Sequence, residues 1–135
     1  MKKNIEEKAA KLTFAFIFGA GVYSILEIFY RGYTHPSMAI TGGVCTMVIY
    51  TLAISKIGYV KSAVMSALFI TSAELVVGLI VNRLMGLNVW DYSHHKFNIM
   101  GQICPSFFLI WLILSFFAIP LCRYMDKKFF FIKFD

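Results

Sequence analysis

Residues Glu74–Gly101 read ELVVGLIVNRLMGLNVWDYSHHKFNIMG, and the fold follows from how this stretch divides. Its first part extends an apolar run that opens at Lys61 and holds a single carboxylate, Glu74. Asn82 and Arg83 close that run. A polar, aromatic segment follows, and a second apolar run begins at Gly101 and lasts to Leu121. A helix of about 20 apolar residues crosses a hydrocarbon core about 30 Å thick. Backbone polar groups in lipid have to be satisfied within their own segment, so both runs are predicted to be helices.

Two further runs precede this stretch. Leu12–Tyr30 is closed by Arg31, and Met38–Ser55 is closed by Lys56. The sequence therefore predicts an all-α integral membrane protein in a single membrane domain, residues 1–135. Its four transmembrane helices fall at about 12–30, 38–55, 61–82 and 101–121, with an outer loop at 83–100. Composition agrees: the 135 residues are 59% hydrophobic and 15% charged, with a mean hydropathy of +0.73. A soluble domain carries about 45–50% apolar and about 25% charged residues. Met1–Lys11 is charged and reads as an amphipathic lead-in. The run after it ends in Arg31 without a small-residue cleavage site, so it is read as a retained span rather than a signal peptide.

The net charge of +6 does not point to nucleic acid, because the basic residues flank apolar blocks instead of clustering. They set orientation. Lys2, Lys3, Lys8, Lys11, Lys56, Lys61, Arg123, Lys127, Lys128 and Lys133 fall on one side, and Arg31, Arg83 and Lys96 on the other. Both termini are expected to be cytoplasmic (N-in/C-in), in a multi-pass protein of the cell membrane whose 83–100 loop faces outward.

An internal repeat is legible. Ile40-Thr-Gly42-Gly-Val44-Cys45 opens the second span and Ile99-Met-Gly101-Gln-Ile103-Cys104 the fourth. A glutamate and then an arginine precede each, Glu27 with Arg31 and Glu74 with Arg83. Two helix hairpins related by a pseudo-twofold along the membrane normal would give this pattern.

Glu27 and Glu74 are the sharpest chemical signals. A carboxylate at the centre of a span costs about 2.5–3.5 kcal/mol on insertion scales, so such residues face the bundle and tend to mark function. Spacing of four residues puts Gly19, Tyr23, Glu27 and Arg31 on one helix face, and Glu74, Gly78 and Asn82 on another. Tyr23, Glu27, Arg31, Glu74, Asn82, Asp91 and Gln102 are thus the candidate ligand- or ion-binding residues of a polar, outward-open cavity. The competing reading is architectural, with Glu27–Arg31 as an ion pair and Glu74 bonded to Gln102, Ser72 or a backbone carbonyl. Trp90 and Tyr92, at an apolar boundary, read as interfacial anchors, and Asp91 as the start of an Asx-turn.

Other chemistry finds little support. His35, Asp91, His94 and His95 offer metal-ligand types, but adjacent histidines do not converge readily on one ion, so no metal is expected. Cys45, Cys104 and Cys122 lie in or at the ends of spans without CxxC spacing and read as packing residues. No strained nucleophile turn, GxxxxGK[ST], GxGxxG or HExxH occurs. The protein is read as a non-enzyme without a cofactor, and ATP, if used, would be bound by another chain.

Glu74, Gly78, Trp90-Asp91-Tyr92-Ser93, Phe97-Asn98, Gly101 and Trp111, with Ser24-Ile-Leu-Glu27 and Arg31 in the first half, resemble the bacterial ABC-transporter permease family of the CmpB type. The resemblance covers most of residues 15–120. Asn82 departs from a position often acidic in that family, and the Arg31–Ala39 segment is shorter. The resemblance implies a transport-related permease subunit, with a separate ATPase subunit as a partner. Together with the glutamates it suggests a small polar or cationic solute bound in the outward cavity. Four helices are few for a transport path, so a homo-oligomer or a partner membrane chain is expected within the lipid bilayer. The alternative is a non-transporting membrane scaffold, dependent on small-residue faces such as Ser62/Ser66 and Ala63/Ala67.

Overall fold

In the computed structural model, the described residues are 1–129. Lys133, counted in the basic tail, lies outside them. They form four long helices: α1 (Lys2–Arg31), α2 (Pro36–Ile54), α3 (Tyr59–Gly78) and α4 (Pro105–Phe129). A π-helical turn over Leu79–Leu84 prolongs α3, so the third span runs Tyr59–Leu84. All four spans are long and apolar enough to cross a membrane, and the protein is an all-α membrane protein.

Local chemistry sets the helix ends. Gly32 stops α1 in the left-handed region at φ 82°, its N–H bonded to Ile28 O at 2.8 Å, a cap that glycine adopts without a Cβ clash. His35 caps α2 by accepting the Ser37 N–H at 3.2 Å on Nδ1, and Pro36 sits where its missing N–H is harmless. Pro120 does not end α4, which passes through it to Phe129. A proline removes the bond to the carbonyl four residues back, here that of Phe116. The Tyr59 hydroxyl donates to that same oxygen.

Helix α1 lies along α2 through glycine contacts. A Cβ on Gly19 would fall 2.0 Å from Thr46 Oγ1, and one on Gly42 would fall 2.7 Å from Tyr23 Cβ. Helix α3 packs on α2 and α4, with Ser62, Ala63, Ser66 and Ala67 fully buried. Such small residues let helix backbones approach. Among the described residues no comparable backbone seam joins α1 to α4. They meet through side chains: Tyr23 with Trp111, rings 5.9 Å apart, Tyr30 with Phe107, and Lys11 with Asp126 at 3.1 Å.

The bundle has two distinct ends. At one, Asp126 accepts from Tyr50 as well as Lys11, and Arg123 Nε donates to Ala53 O at 2.9 Å. The start of α1, the end of α4 and the α2–α3 turn therefore share that end. At the other lies the long segment between α3 and α4, packed on Met38, Val81 and Cys104 through buried Val89, Trp90 and Tyr92.

Candidate functional site

The α3–α4 segment is an ordered plug, and the residues of its WDYS…FN…G pattern build it. Asp91 Oδ1 accepts the Ser93 N–H at 2.9 Å in an Asx-turn, which holds the exposed Asp91 carboxyl below the usual carboxylate range. Asn98 donates to Ser93 O and His95 O and accepts from Gly101 N–H at 3.0 Å. Tyr92 N–H donates to Gly101 O at 2.7 Å, and the Trp90 indole to Gln102 O at 3.0 Å. Trp90 and Tyr92 are each 4% exposed, so they are not interfacial anchors. Their N–H and O–H find partners inside the protein, which removes the reason to sit at the lipid–water boundary.

Asn82 and Gln102 tie this plug to α3. Asn82 Nδ2 donates to Gln102 Oε1 at 2.8 Å, and its Oδ1 accepts Val89 N–H at 2.7 Å. Gln102 Nε2 donates to Met100 O at 3.0 Å. Gly78 makes room for the pair: a Cβ there would lie 2.5 Å from Gln102 Oε1 and 2.9 Å from the Trp90 ring. Arg31 reaches the same segment from α1, with Nη1 on Val89 O at 3.1 Å and Nη2 on the Tyr92 hydroxyl at 3.3 Å. Tyr33 also donates to Val89 O.

Beneath the plug sit the two glutamates. Glu74 is 2% exposed and accepts the Trp111 indole N–H on Oε2 at 3.0 Å and, at a long 3.5 Å, the Tyr92 hydroxyl on Oε1. Tyr92 thus links Arg31 to Glu74, accepting from one and donating to the other. Burial pushes its hydroxyl above the ordinary tyrosine range, so it keeps the proton it donates. Glu27 is 6% exposed and accepts the Tyr23 hydroxyl on Oε1 at 3.1 Å. Among the described residues, Glu27 Oε2 has no hydrogen-bond partner, and Thr34 Oγ1 is the other buried side-chain oxygen in that condition.

A 260 Å³ cavity adjoins this cluster. Tyr23, Glu74 and Trp111 line it together with apolar side chains of all four helices, Cys45 and Cys122 among them.

The structure thus gathers Tyr23, Glu27, Arg31 and Glu74 with Tyr92 and Trp111. Asn82 and Gln102 border that group, committed to holding the plug. Asp91 stands apart on the exposed loop. His35 caps α2, and His95 packs on Tyr92 and Phe107. Among the described residues no group of three His, Cys, Asp or Glu side chains could hold a metal ion. Spacing did not single out Tyr92, read as an interfacial anchor, or Trp111 as site residues. The signal for Trp111 was an indole deep in an apolar run, where a buried N–H requires an acceptor.

The sequence model of the family described as "Putative ABC-transporter type IV" matches residues 2–133. No curated protein and no solved structure matches the chain.

Proposed function

The chain belongs to the CmpB-type family of ABC-transporter proteins, and from that premise we propose that this transport-related membrane protein binds a small polar solute, preferentially a cation, at Glu27 and Glu74. One observation supports this most directly. Glu27 Oε2 is buried and lacks a partner among the described residues, while Arg31, one helical turn away, spends two donor contacts on the plug. A buried polar oxygen left unsatisfied costs about 1–3 kcal/mol, more if charged. A cationic ligand would supply the countercharge, and a primary ammonium the missing donor as well.

In this reading the plug lies on the outward side, as the Lys and Arg asymmetry favours. Both termini are cytoplasmic, and Arg31 and Tyr92 cover the cluster on that outward side. The hairpins α1–α2 and α3–α4 act as pseudo-symmetric halves, each contributing one glutamate. The working unit is a homo-oligomer or a complex with another membrane chain. A separate ATPase docks at the Lys56–Lys61 turn, and this chain performs no catalytic step itself.

The test is ligand-dependent stability of the purified chain in nanodiscs, using tetramethylammonium and ethanolammonium against sodium at equal ionic strength. A cation at ten times its Kd should stabilise the protein by about 1.4 kcal/mol. Glu27→Gln should fold and lose most of that gain. Equal gains in wild type and in the Gln variants of Glu27 and Glu74, or no gain in wild type, would remove the reading.

A further inference from the structure

The cavity opens sideways. Of its lining residues, those that are exposed all belong to α1 and α4, including Val22 and Leu26 on one and Phe117 and Leu121 on the other. The residues contributed by α2 and α3 are buried or half-buried and form its floor. This matches the packing, since α1 and α4 meet through scattered side chains without a backbone seam. Every exposed residue at the mouth is apolar, so in a bilayer the mouth faces hydrocarbon. From Trp111 to Leu121 the groove runs about 15 Å along α4. The aqueous route past α3 is closed by the plug, with Trp90 and Tyr92 buried and Asn82, Gln102 and Val89 bonded together.

The chemistry of the walls is equally specific. Among the described lining residues Glu74 is the one charged group. It lies beside Tyr23 and Trp111, whose stacked rings both line the cavity. A carboxylate flanked by aromatic rings suits an organic ammonium, which draws on ring quadrupoles as well as on charge. The remaining lining is almost wholly aliphatic or aromatic, with a few hydroxyls from Thr41, Thr46 and Ser115. All three of those hydroxyls are already donated to backbone carbonyls of their own helices. A hydrated inorganic cation would find few replacements for its water there.

We infer that the ligand of this site is an organic cation with an apolar body, admitted from the bilayer between α1 and α4, its ammonium on Glu74 and its body in the groove. This rests on the cation-binding reading above and narrows it to a chemical class and a route. Charge complementarity chooses this occupant over a helix of a second copy, which would bring no cation to Glu74 unless it carried one at that depth.

The experiment uses the full chain in nanodiscs and tritiated benzyltrimethylammonium. Its competitors are tetramethylammonium, which has the charge without the body, and neopentylbenzene, the neutral isostere. Saturable binding is expected, with tetramethylammonium at least tenfold weaker and neopentylbenzene not competing. Glu74→Gln should weaken benzyltrimethylammonium at least tenfold. Leu26→Trp, at a mouth residue 49% exposed, should fold and weaken benzyltrimethylammonium several-fold more than tetramethylammonium. Equal affinity for the two cations, with Glu74 dependence kept, would overturn the inference and leave the cation site standing. Binding of neither cation would overturn both. Cysteine cross-links from Leu26 and Phe117 to a second copy, undisturbed by benzyltrimethylammonium, would show the groove filled by protein and overturn the inference alone.

Discussion

Tyr59 donates its hydroxyl to the carbonyl oxygen of Phe116, the group that Pro120 leaves without a helical partner. A residue at the start of α3 thereby repairs a break in the ladder of α4, and the rings of Tyr59 and Phe116 meet edge to face at 5.4 Å. Tyr59→Phe should cost about 0.5–1.5 kcal/mol, the net worth of a hydrogen bond. In a Pro120→Ala background the backbone N–H returns, and the cost should shrink towards zero. Unfolding of the four variants in mixed micelles gives the coupling; an unchanged cost in both backgrounds would refute the repair.

Trp111 holds Glu74 from α4. Trp111→Phe keeps an aromatic ring but removes the donor, leaving a buried carboxylate oxygen short of one bond. Stability should fall by about 1–3 kcal/mol. Cation-dependent stabilisation should fall with it, since the carboxylate loses its positioning contact. Chemical denaturation with and without tetramethylammonium reads both effects.

Asn82 and Gln102 should behave as one unit. Asn82→Ala strands Gln102 Oε1 and the Val89 N–H, and Gln102→Ala strands Asn82 Nδ2. Each single change should destabilise, and the double should cost less than their sum, with a coupling of about 0.5–3 kcal/mol. Hydrogen exchange should rise across residues 85–104 and much less in α2. Independent effects would mean that the pair does not fasten the plug.

The glycine seams make a graded set. Gly19→Ala and Gly78→Ala press a methyl against Thr46 and against Gln102 and Trp90, so each should destabilise by about 1–3 kcal/mol. Gly21 has nothing within 4 Å of a built Cβ. Gly21→Ala should therefore be neutral or stabilising by up to about 1 kcal/mol through helix propensity. Thermal melts of the three variants in one detergent make the comparison.

Topology is open to direct assay. A green fluorescent protein fused at the C-terminus should fluoresce, because the basic ends are expected in the cytoplasm. Alkaline phosphatase inserted at His94 should be active and the same enzyme inserted at Gly58 inactive. The opposite pattern would place the plug inside and overturn the proposed orientation.

Much of the site was legible before the fold. Glu27 and Glu74 stand out because lipid penalises carboxylates, and spacing of four carries Tyr23 and Arg31 onto the face of Glu27. Spacing does not say what a side chain touches. Glu27 and Arg31 share that face, yet Arg31 turns to Val89 and Tyr92, fifty-eight and sixty-one residues away. Trp90 and Tyr92 carry the composition of an interfacial belt and are buried, because partners for their polar atoms come from residues distant in the chain. Asn82 and Gln102 resemble ligand groups until their mutual bond is seen.

What the sequence determined by itself is the membrane setting, the four helices and the presence of two costly carboxylates, all of which follow from local composition and run length against a bilayer of known thickness. The tertiary structure alone decided how those groups are satisfied: Glu74 by Trp111 and Tyr92, Gln102 by Asn82, the Phe116 carbonyl by Tyr59, and Glu27, among the described residues, by one bond on one oxygen. It also decided that the space beside Glu74 opens between α1 and α4. These are long-range pairings between apolar helices whose faces look alike in sequence, and shape and hydrogen-bond complementarity select among them only once the helices meet.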